Sequence, residues 1–219
     1  MRASLDTNVI IHLYRAELQN ILFDFFDEGV FIYEQIYTVE LKNHGTDIID
    51  KVKNDIETGR IEIYTDQKLK DLTIYKIFEE NVKDNKSLYE SGDLGEVYAI
   101  SLALTLGAFS IVTDDTKQGG PYMSLLQFES EIIPLTFVDI LILRYLAGMV
   151  DEFKTVEDFN IINDISELNW SFKSHLRKFL KRFFYDSYKQ SDKEWISRFV
   201  EDNNVKLRSK IDNLWNIIN

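Results

Sequence analysis

The feature that most constrains this chain is the alternation of apolar strand patterns with helix patterns over its first 150 residues. Short apolar runs at 3–6, 30–33, 61–64, 109–112 and 132–135 predict five strands, and helical patterns fill the intervals between them. Strands that alternate with helices are typical of βαβ units, whose strands lie parallel with helices on both faces. We therefore predict an α/β fold built on a doubly wound parallel sheet.

The predicted helices lie at about 8–18, 46–57, 67–86, 94–106 and 122–128, with another helix around Glu40. Gly59 and Gly107 follow two of them, as expected for glycine just past a helix end. Asp93 and Glu96 fit a capping box at the start of the helix 94–106. After Gly148 only helical patterns remain. We therefore predict a domain at 1–150 and an all-helical extension at 151–219.

Charge is distributed unevenly between these two parts. The whole chain has a formal net charge of −12, yet residues 151–219 contain twelve basic and twelve acidic residues. Aromatic and basic side chains alternate along 170–188, where four basic residues lie between the aromatic positions: Arg177, Lys178, Lys181 and Arg182. Three interpretations of this helix stand: an aromatic stripe packed on the body with solvated charges, a basic face that guides RNA phosphates, or a protein contact.

Composition excludes several classes of function. The chain has no cysteine, which excludes disulfides, thiolate zinc sites and a cysteine nucleophile and fits a cytoplasmic location. We expect no signal peptide and no membrane span, because no apolar stretch is long enough. No phosphate-binding loop of the Gly-x-x-x-x-Gly-Lys-Ser/Thr type occurs, and His12, His44 and His175 fit no nucleophile–base arrangement.

Carboxylates recur where an open α/β sheet binds its ligands, at the carboxyl ends of strands and the adjoining helix starts. Asp6 ends the first strand, Glu40 lies in the helix after the second, Glu96 opens the helix 94–106, and Asp114 and Asp115 follow the fourth strand. Each acid also has a purely structural interpretation. Asp6 suits a helix N-cap, Glu40 a helix surface, and Asp114 and Asp115 a polar turn.

Glu96 carries the strongest chemical signal of the group. On a helix it shares a face with Ala99, Ile100 and Ala103, a small apolar surface that should pack against the sheet. A partly buried carboxylate near other carboxylates is unfavourable unless a cation neutralises it. Oxygen ligands with water are the coordination that Mg²⁺ or Mn²⁺ prefers. We therefore expect a bound Mg²⁺ or Mn²⁺ ion at this edge of the sheet.

Four segments in series resemble the PIN domain family, the nuclease fold of VapC-type toxins and related RNA-processing enzymes. They are Leu5-Asp6-Thr7-Asn8, the segment 36–41 around Glu40, the segment 95–103 that begins Gly95-Glu96, and Thr113-Asp114-Asp115. The resemblance covers roughly residues 1–150 in order and spacing. The long charged segment before Glu96 and the C-terminal extension depart from the pattern of the small toxins.

The resemblance implies that Asp6, Glu40, Glu96 and Asp115 are the catalytic, metal-binding acids, with Asp114 a weaker candidate ligand. It further implies that Thr7, Asn8 and Thr113 orient these acids or contact phosphate. The expected activity is a metal-dependent endoribonuclease, in the setting of a toxin–antitoxin or defence module, with an antitoxin or a second copy as candidate protein partners. The alternative is a non-catalytic PIN-like module that binds RNA or protein and has a degenerate or regulatory cation site.

Overall fold

The chain divides into two compact units, Met1–Thr136 and Phe137–Asn219. The structure is a computed structural model that describes residues 1–88, 94–117, 121–127, 131–187 and 189–218. The predicted capping role of Asp93 lies outside these residues. The predicted boundary near residue 150 falls one helix later than this division. Among the helices described, none is long and apolar enough to cross a membrane.

The first unit is built on a five-stranded, all-parallel sheet in the order β3-β2-β1-β4-β5. Its strands are β1 Ala3–Leu5, β2 Val30–Tyr33, β3 Ile61–Tyr64, β4 Ser110–Val112 and β5 Ile133–Leu135. The two apolar strands β1 and β2 are buried along their whole length, as expected for a sheet covered on both faces. The predicted α/β class with a parallel sheet is therefore confirmed.

In the first unit, α-helices follow the strands β1 to β4. They are α1 Thr7–Arg15, α2 Asn20–Phe25, α3 Thr46–Glu57, α4 Asp66–Asp71, α5 Tyr75–Leu88, α6 Leu94–Leu106 and α7 Pro121–Gln127. On one face Tyr14 of α1 donates a 2.6 Å hydrogen bond to Asp55 of α3. On the other, Tyr98 of α6 packs on Tyr33 of β2 with ring centroids 4.9 Å apart. This arrangement is compatible with a doubly wound sheet.

Strand order reverses between β1 and β4. The chain proceeds from β1 to β2 to β3 in one direction and then returns to place β4 on the other side of β1. Because such crossovers are right-handed, the connections before and after the reversal lie on opposite faces. The connections that leave β1 and β4 therefore go to opposite faces of the sheet. The carboxyl ends of such strands are the usual ligand-binding position of open α/β sheets.

Two predicted helices differ from the structure. The helix expected over 8–18 ends at Arg15, and α2 follows it as a separate element. The helix expected over 67–86 is interrupted at Thr73, whose φ of 62° is left-handed, so α4 and α5 are distinct. A β-branched residue rarely adopts this conformation, so sequence alone favoured an unbroken helix here.

The described part of the second unit is helical. It contains α8 Phe137–Leu146, α9 Glu152–Ile165, α10 Phe172–Leu180, a π-helix Lys181–Tyr185, α11 Gln190–Asp202 and α12 Leu207–Ile218. Its core is strongly aromatic. Phe172 packs edge-on against Phe159 with ring centroids 5.1 Å apart, and the ring centroids of Phe183 and Trp195 are 5.6 Å apart. The predicted aromatic stripe of α10 is thus packed inside this unit.

Candidate metal centre

Asp6 directly follows β1, at the point where the strand order reverses. Its backbone N–H donates to the carbonyl of Val112 at 3.0 Å, which ties the end of β1 to the end of β4. Its carboxylate accepts from the backbone N–H of Thr7 at 2.7 Å and from the hydroxyl of Thr113 at 3.0 Å. Asp6 is therefore the N-cap of α1, as its structural interpretation expected, and is also 1% exposed at the candidate site.

Glu40 is carried by a π-helix, Ile36–Glu40, in which the N–H of Leu41 bonds to the carbonyl of Ile36. The wide turn of a π-helix often occurs at functional positions because it redirects a side chain. Here the carboxylate accepts from the hydroxyl of Thr7 and lies against Gly95 at the start of α6. A Cβ added at Gly95 would lie 2.1 Å from Glu40 Oε2, so glycine makes this close approach feasible.

Glu96 follows Gly95 and is 1% exposed. Neither of its carboxyl oxygens makes a hydrogen bond of normal geometry within the residues that the structure describes, although the carboxyl of Asp115 lies near enough to interact with it. Burial, together with the nearby negative charges of Asp6 and Asp115, raises the pKa of Glu96 to about 9. Glu96 is therefore a neutral, poorly satisfied acid at neutral pH, which is an unfavourable state for a group buried without a ligand.

Asp115 faces the same acids from the loop after β4. Its backbone N–H donates to the Thr113 hydroxyl at 3.2 Å, and its carboxylate accepts from the backbone N–H of Lys117 at 3.0 Å. The ammonium of Lys117 forms an ion pair with the same carboxylate. Burial alone would raise the pKa of Asp115, but the hydrogen bonds from Lys117 outweigh that effect and hold it below its ordinary value.

Asp114 points elsewhere. Its buried carboxylate lies 2.8 Å from Nδ1 of His12 on α1, and the side chain of His12 is itself only 15% exposed. Consecutive residues leaving a strand point in opposite directions, so Asp114 and Asp115 serve different neighbours. Asn8, the last of the predicted orienting residues, is half-buried in the first turn of α1.

The donor set suits a divalent cation. Asp6 and Asp115 lie close enough to Glu96 for their negative charges to raise its pKa. A fourth acid, Glu40, lies against Gly95, the residue before Glu96. Within the described ranges, however, no three side chains form a ready-made ligand set for one ion. For one ion to be held by three of these acids, Glu96 would have to ionise and the side chains would have to rearrange. The buried, poorly satisfied oxygens of Glu96 fit a ligand role.

The four predicted phosphate-contacting residues of the second unit fall into two groups. Arg177, Lys178 and Lys181 are exposed. Arg182 is 3% exposed, and its Nε donates to Asp192 at 2.9 Å. A guanidinium enclosed in a buried ion pair presents little charge to solvent, so the prediction that Arg182 contacts RNA is wrong.

Sequence reasoning did not identify Gly95 and Lys117 as parts of the site and placed His12 in no catalytic arrangement. The sequence does contain a signal for Gly95. Glycine in the first turn of a helix destabilises that helix, so its presence there indicates that another group approaches the backbone closely. The spacing Asp115-x-Lys117 places an ammonium within reach of its own loop carboxylate. The His12–Asp114 contact joins residues 102 positions apart and has no local signal.

Comparison with protein-family models, with curated proteins and with solved structures gives no match for this chain. A functional assignment therefore depends on the motifs of the sequence and on the geometry of the acids.

Proposed function

We propose that the chain is a metal-dependent ribonuclease of the PIN type, with Asp6, Glu40, Glu96 and Asp115 as its Mg²⁺ or Mn²⁺ ligands. The observation that carries this proposal is the buried carboxyl of Glu96, which makes no normal hydrogen bond among the described residues and lies beside Asp6 and Asp115. A divalent ion is the ligand that makes such a group favourable, because it ionises the carboxyl and offsets the repulsion among the acids.

The position of the acids supports the same function. Asp6 and Thr113 follow adjacent strands at the reversal of strand order, which is the general ligand-binding position in open α/β sheets. When bound there, a divalent ion supplies an activated water and neutralises charge on the phosphate. The residues of the chain hold the acids in place: Thr7 contacts both Asp6 and Glu40, and Thr113 contacts Asp6 and Asp115.

RNA as the substrate rests on the resemblance to PIN domains, and so do a toxin or defence role, an antitoxin partner and a homodimer. A cytoplasmic location rests on the absence of cysteine. Arg177, Lys178 and Lys181 add independent support for an anionic polymer, since they are exposed cations in an otherwise acidic chain. We assign them the role of holding RNA phosphates, and we exclude Arg182 from that role.

A non-catalytic module with a degenerate cation site is the second candidate. The ion pair between Lys117 and Asp115 favours it, because an ammonium already neutralises one of the acids. The two candidates differ in a simple observable. The enzyme binds Mn²⁺ and cleaves RNA, whereas the module binds RNA or protein without cleaving it.

The test is incubation of purified protein with end-labelled RNA in Mn²⁺, in Mg²⁺ and in EDTA. We expect cleavage with either metal, none in EDTA, and recovery when excess Mn²⁺ is added back. Cleavage that persists undiminished in EDTA would exclude a metal-dependent mechanism. Intact RNA in all conditions, with binding retained, would favour the non-catalytic module.

A further inference from the structure

Lys117 makes two contacts with one carboxylate of the candidate site. Its backbone N–H donates to Oδ1 of Asp115 at 3.0 Å, and its ammonium pairs with Oδ2 of the same residue. The backbone contact fixes the turn and is independent of the side chain. The ammonium contact supplies a positive charge at an oxygen that the proposed function assigns to a metal ion.

The charge of Lys117 also reaches the neighbouring acid. Burial and the charges of Asp6 and Asp115 raise the pKa of Glu96, and the ammonium of Lys117 acts in the opposite direction. One cation therefore interacts with two of the four candidate ligands. Its position among these acids is that of a monovalent substitute for a divalent ion.

The ion pair of Lys117 with Asp115 is exposed on the side of the lysine. It is 60% exposed, whereas the carboxylate of Asp115 is 18% exposed, so the acid is held in the protein and the ammonium reaches in from solvent. A lysine ammonium is a mobile point charge on a flexible stem, and exposed pairs of this kind are weak. This ion pair therefore contributes little free energy of its own.

We propose that Lys117 is an internal cation that neutralises Asp115 in the metal-free protein and is displaced when the divalent ion binds. This inference rests on the metal site of the proposed function but does not depend on RNA cleavage. Lys117 thereby competes with the divalent ion for the carboxylate of Asp115. The ammonium partly neutralises the acids while no metal is bound. It therefore raises the concentration of divalent ion that is needed to fill the site.

The experiment compares Mn²⁺ binding by calorimetry in the full-length wild type, in Lys117→Gln and in a matched control, Lys53→Gln. Lys53 is similarly exposed, at 58%, and pairs with Glu57 on α3. Both variants remove one positive charge from the chain, but only Lys117→Gln removes it from the acids. Glutamine at 117 retains the backbone N–H that holds Asp115.

We expect Lys117→Gln to bind Mn²⁺ roughly three- to fivefold more tightly than wild type, the scale of one exposed ion pair, with Lys53→Gln unchanged. The gain should largely disappear in an Asp115→Asn background. Equal or weaker affinity in a folded Lys117→Gln protein would overturn the inference while leaving the metal site intact. Absence of Mn²⁺ binding in both wild type and Lys117→Gln would overturn this inference and the proposed function together. Tighter binding without any RNA cleavage would support the inference and contradict the proposed activity.

Discussion

The hydroxyl of Thr113 donates a 3.0 Å hydrogen bond to Oδ2 of Asp6, and so joins the ends of two adjacent parallel strands. This bond spans the point where the strand order reverses. The other candidate ligands reach the same region from a π-helix, from the start of α6 and from the loop after β4.

The first prediction concerns the contact between Gly95 and Glu40. We expect Gly95→Ala to retain the fold but to lose Mn²⁺ affinity and RNA cleavage. A Cβ at this position would lie 2.1 and 2.4 Å from the two carboxylate oxygens of Glu40. The flexible end of Glu40 can move away at little cost, and alanine favours the helix by up to about 1 kcal/mol over glycine. Thermal unfolding and calorimetry measure the two effects.

The control for this prediction is Glu40→Ala, alone and combined with Gly95→Ala. If the alanine acts by displacing Glu40, adding it to Glu40→Ala should weaken Mn²⁺ binding no further. Full affinity in the Glu40→Ala protein would remove Glu40 from the ligand set.

The second prediction concerns the pH dependence of stability. The pKa of Glu96 is raised from 4.5 to about 9 in the folded protein, so folding takes up a proton between these values. The contribution of Glu96 is therefore most favourable below about pH 4.5 and is lost progressively up to about pH 9. Relative to wild type, metal-free Glu96→Gln should gain stability as pH rises, by at most about 1.4 kcal/mol per pH unit.

Urea unfolding in EDTA at pH 6 and pH 8.5 measures this difference. Mn²⁺ should stabilise the wild type at pH 8.5 and have a much smaller effect on Glu96→Gln, because only an ionised carboxylate binds the ion well. A stability difference that does not change with pH would show that Glu96 is ionised in the folded protein.

The third prediction concerns the exposed basic residues of the second unit. Replacing Arg177, Lys178 and Lys181 with glutamine should weaken RNA binding and flatten its salt dependence, with little effect on turnover at saturating RNA. Each phosphate that the variant no longer neutralises should lower the salt slope by roughly 0.7 for single-stranded RNA. Filter binding over a range of salt concentrations measures it.

A control triple variant removes three exposed lysines of the first unit, Lys42, Lys53 and Lys83, and changes the net charge equally. The slope should fall less in this control. Equal slopes in the two triple variants would mean that net charge, and no particular helix face, governs RNA binding.

The fourth prediction separates Arg182 from its exposed neighbours. Arg182→Gln leaves the buried carboxylate of Asp192 without its partner, so it should destabilise the fold by about 3–5 kcal/mol. Lys181→Gln, one residue earlier and exposed, should change the free energy of unfolding by well under about 1 kcal/mol. Urea unfolding of the two variants distinguishes them. Similar stabilities would contradict the buried ion pair.

Sequence anticipated those parts of the fold that depend on local pattern. Val30–Tyr33 and Ile61–Tyr64 match the predicted strands residue for residue, because β-branched and aromatic runs flanked by polar residues have few alternatives. The burial of Glu96 followed from its small apolar helix face, Ala99, Ile100 and Ala103, which is indeed buried.

Features that depend on tertiary contacts or on irregular backbone escaped sequence reasoning. Arg182 lies in a π-helix, whose wider turn shifts the phase of the residues that follow α10, so a regular helical wheel misplaces it. The Thr73 break depends on a left-handed residue that is not glycine. The ion pair of Lys117 with Asp115 depends on the folded conformation of their loop.

Cleavage of labelled RNA in Mn²⁺ by wild type, by Asp6→Asn and by the exposed control Asp50→Asn tests the central claim most directly. Asp6→Asn removes one charge from the acid cluster with little change of shape, so the variant should fold with equal or greater stability. We predict that Asp6→Asn loses cleavage while Asp50→Asn cleaves at the wild-type rate. Wild-type cleavage by a folded Asp6→Asn protein would contradict the assignment of the metal centre and, with it, the proposed mechanism.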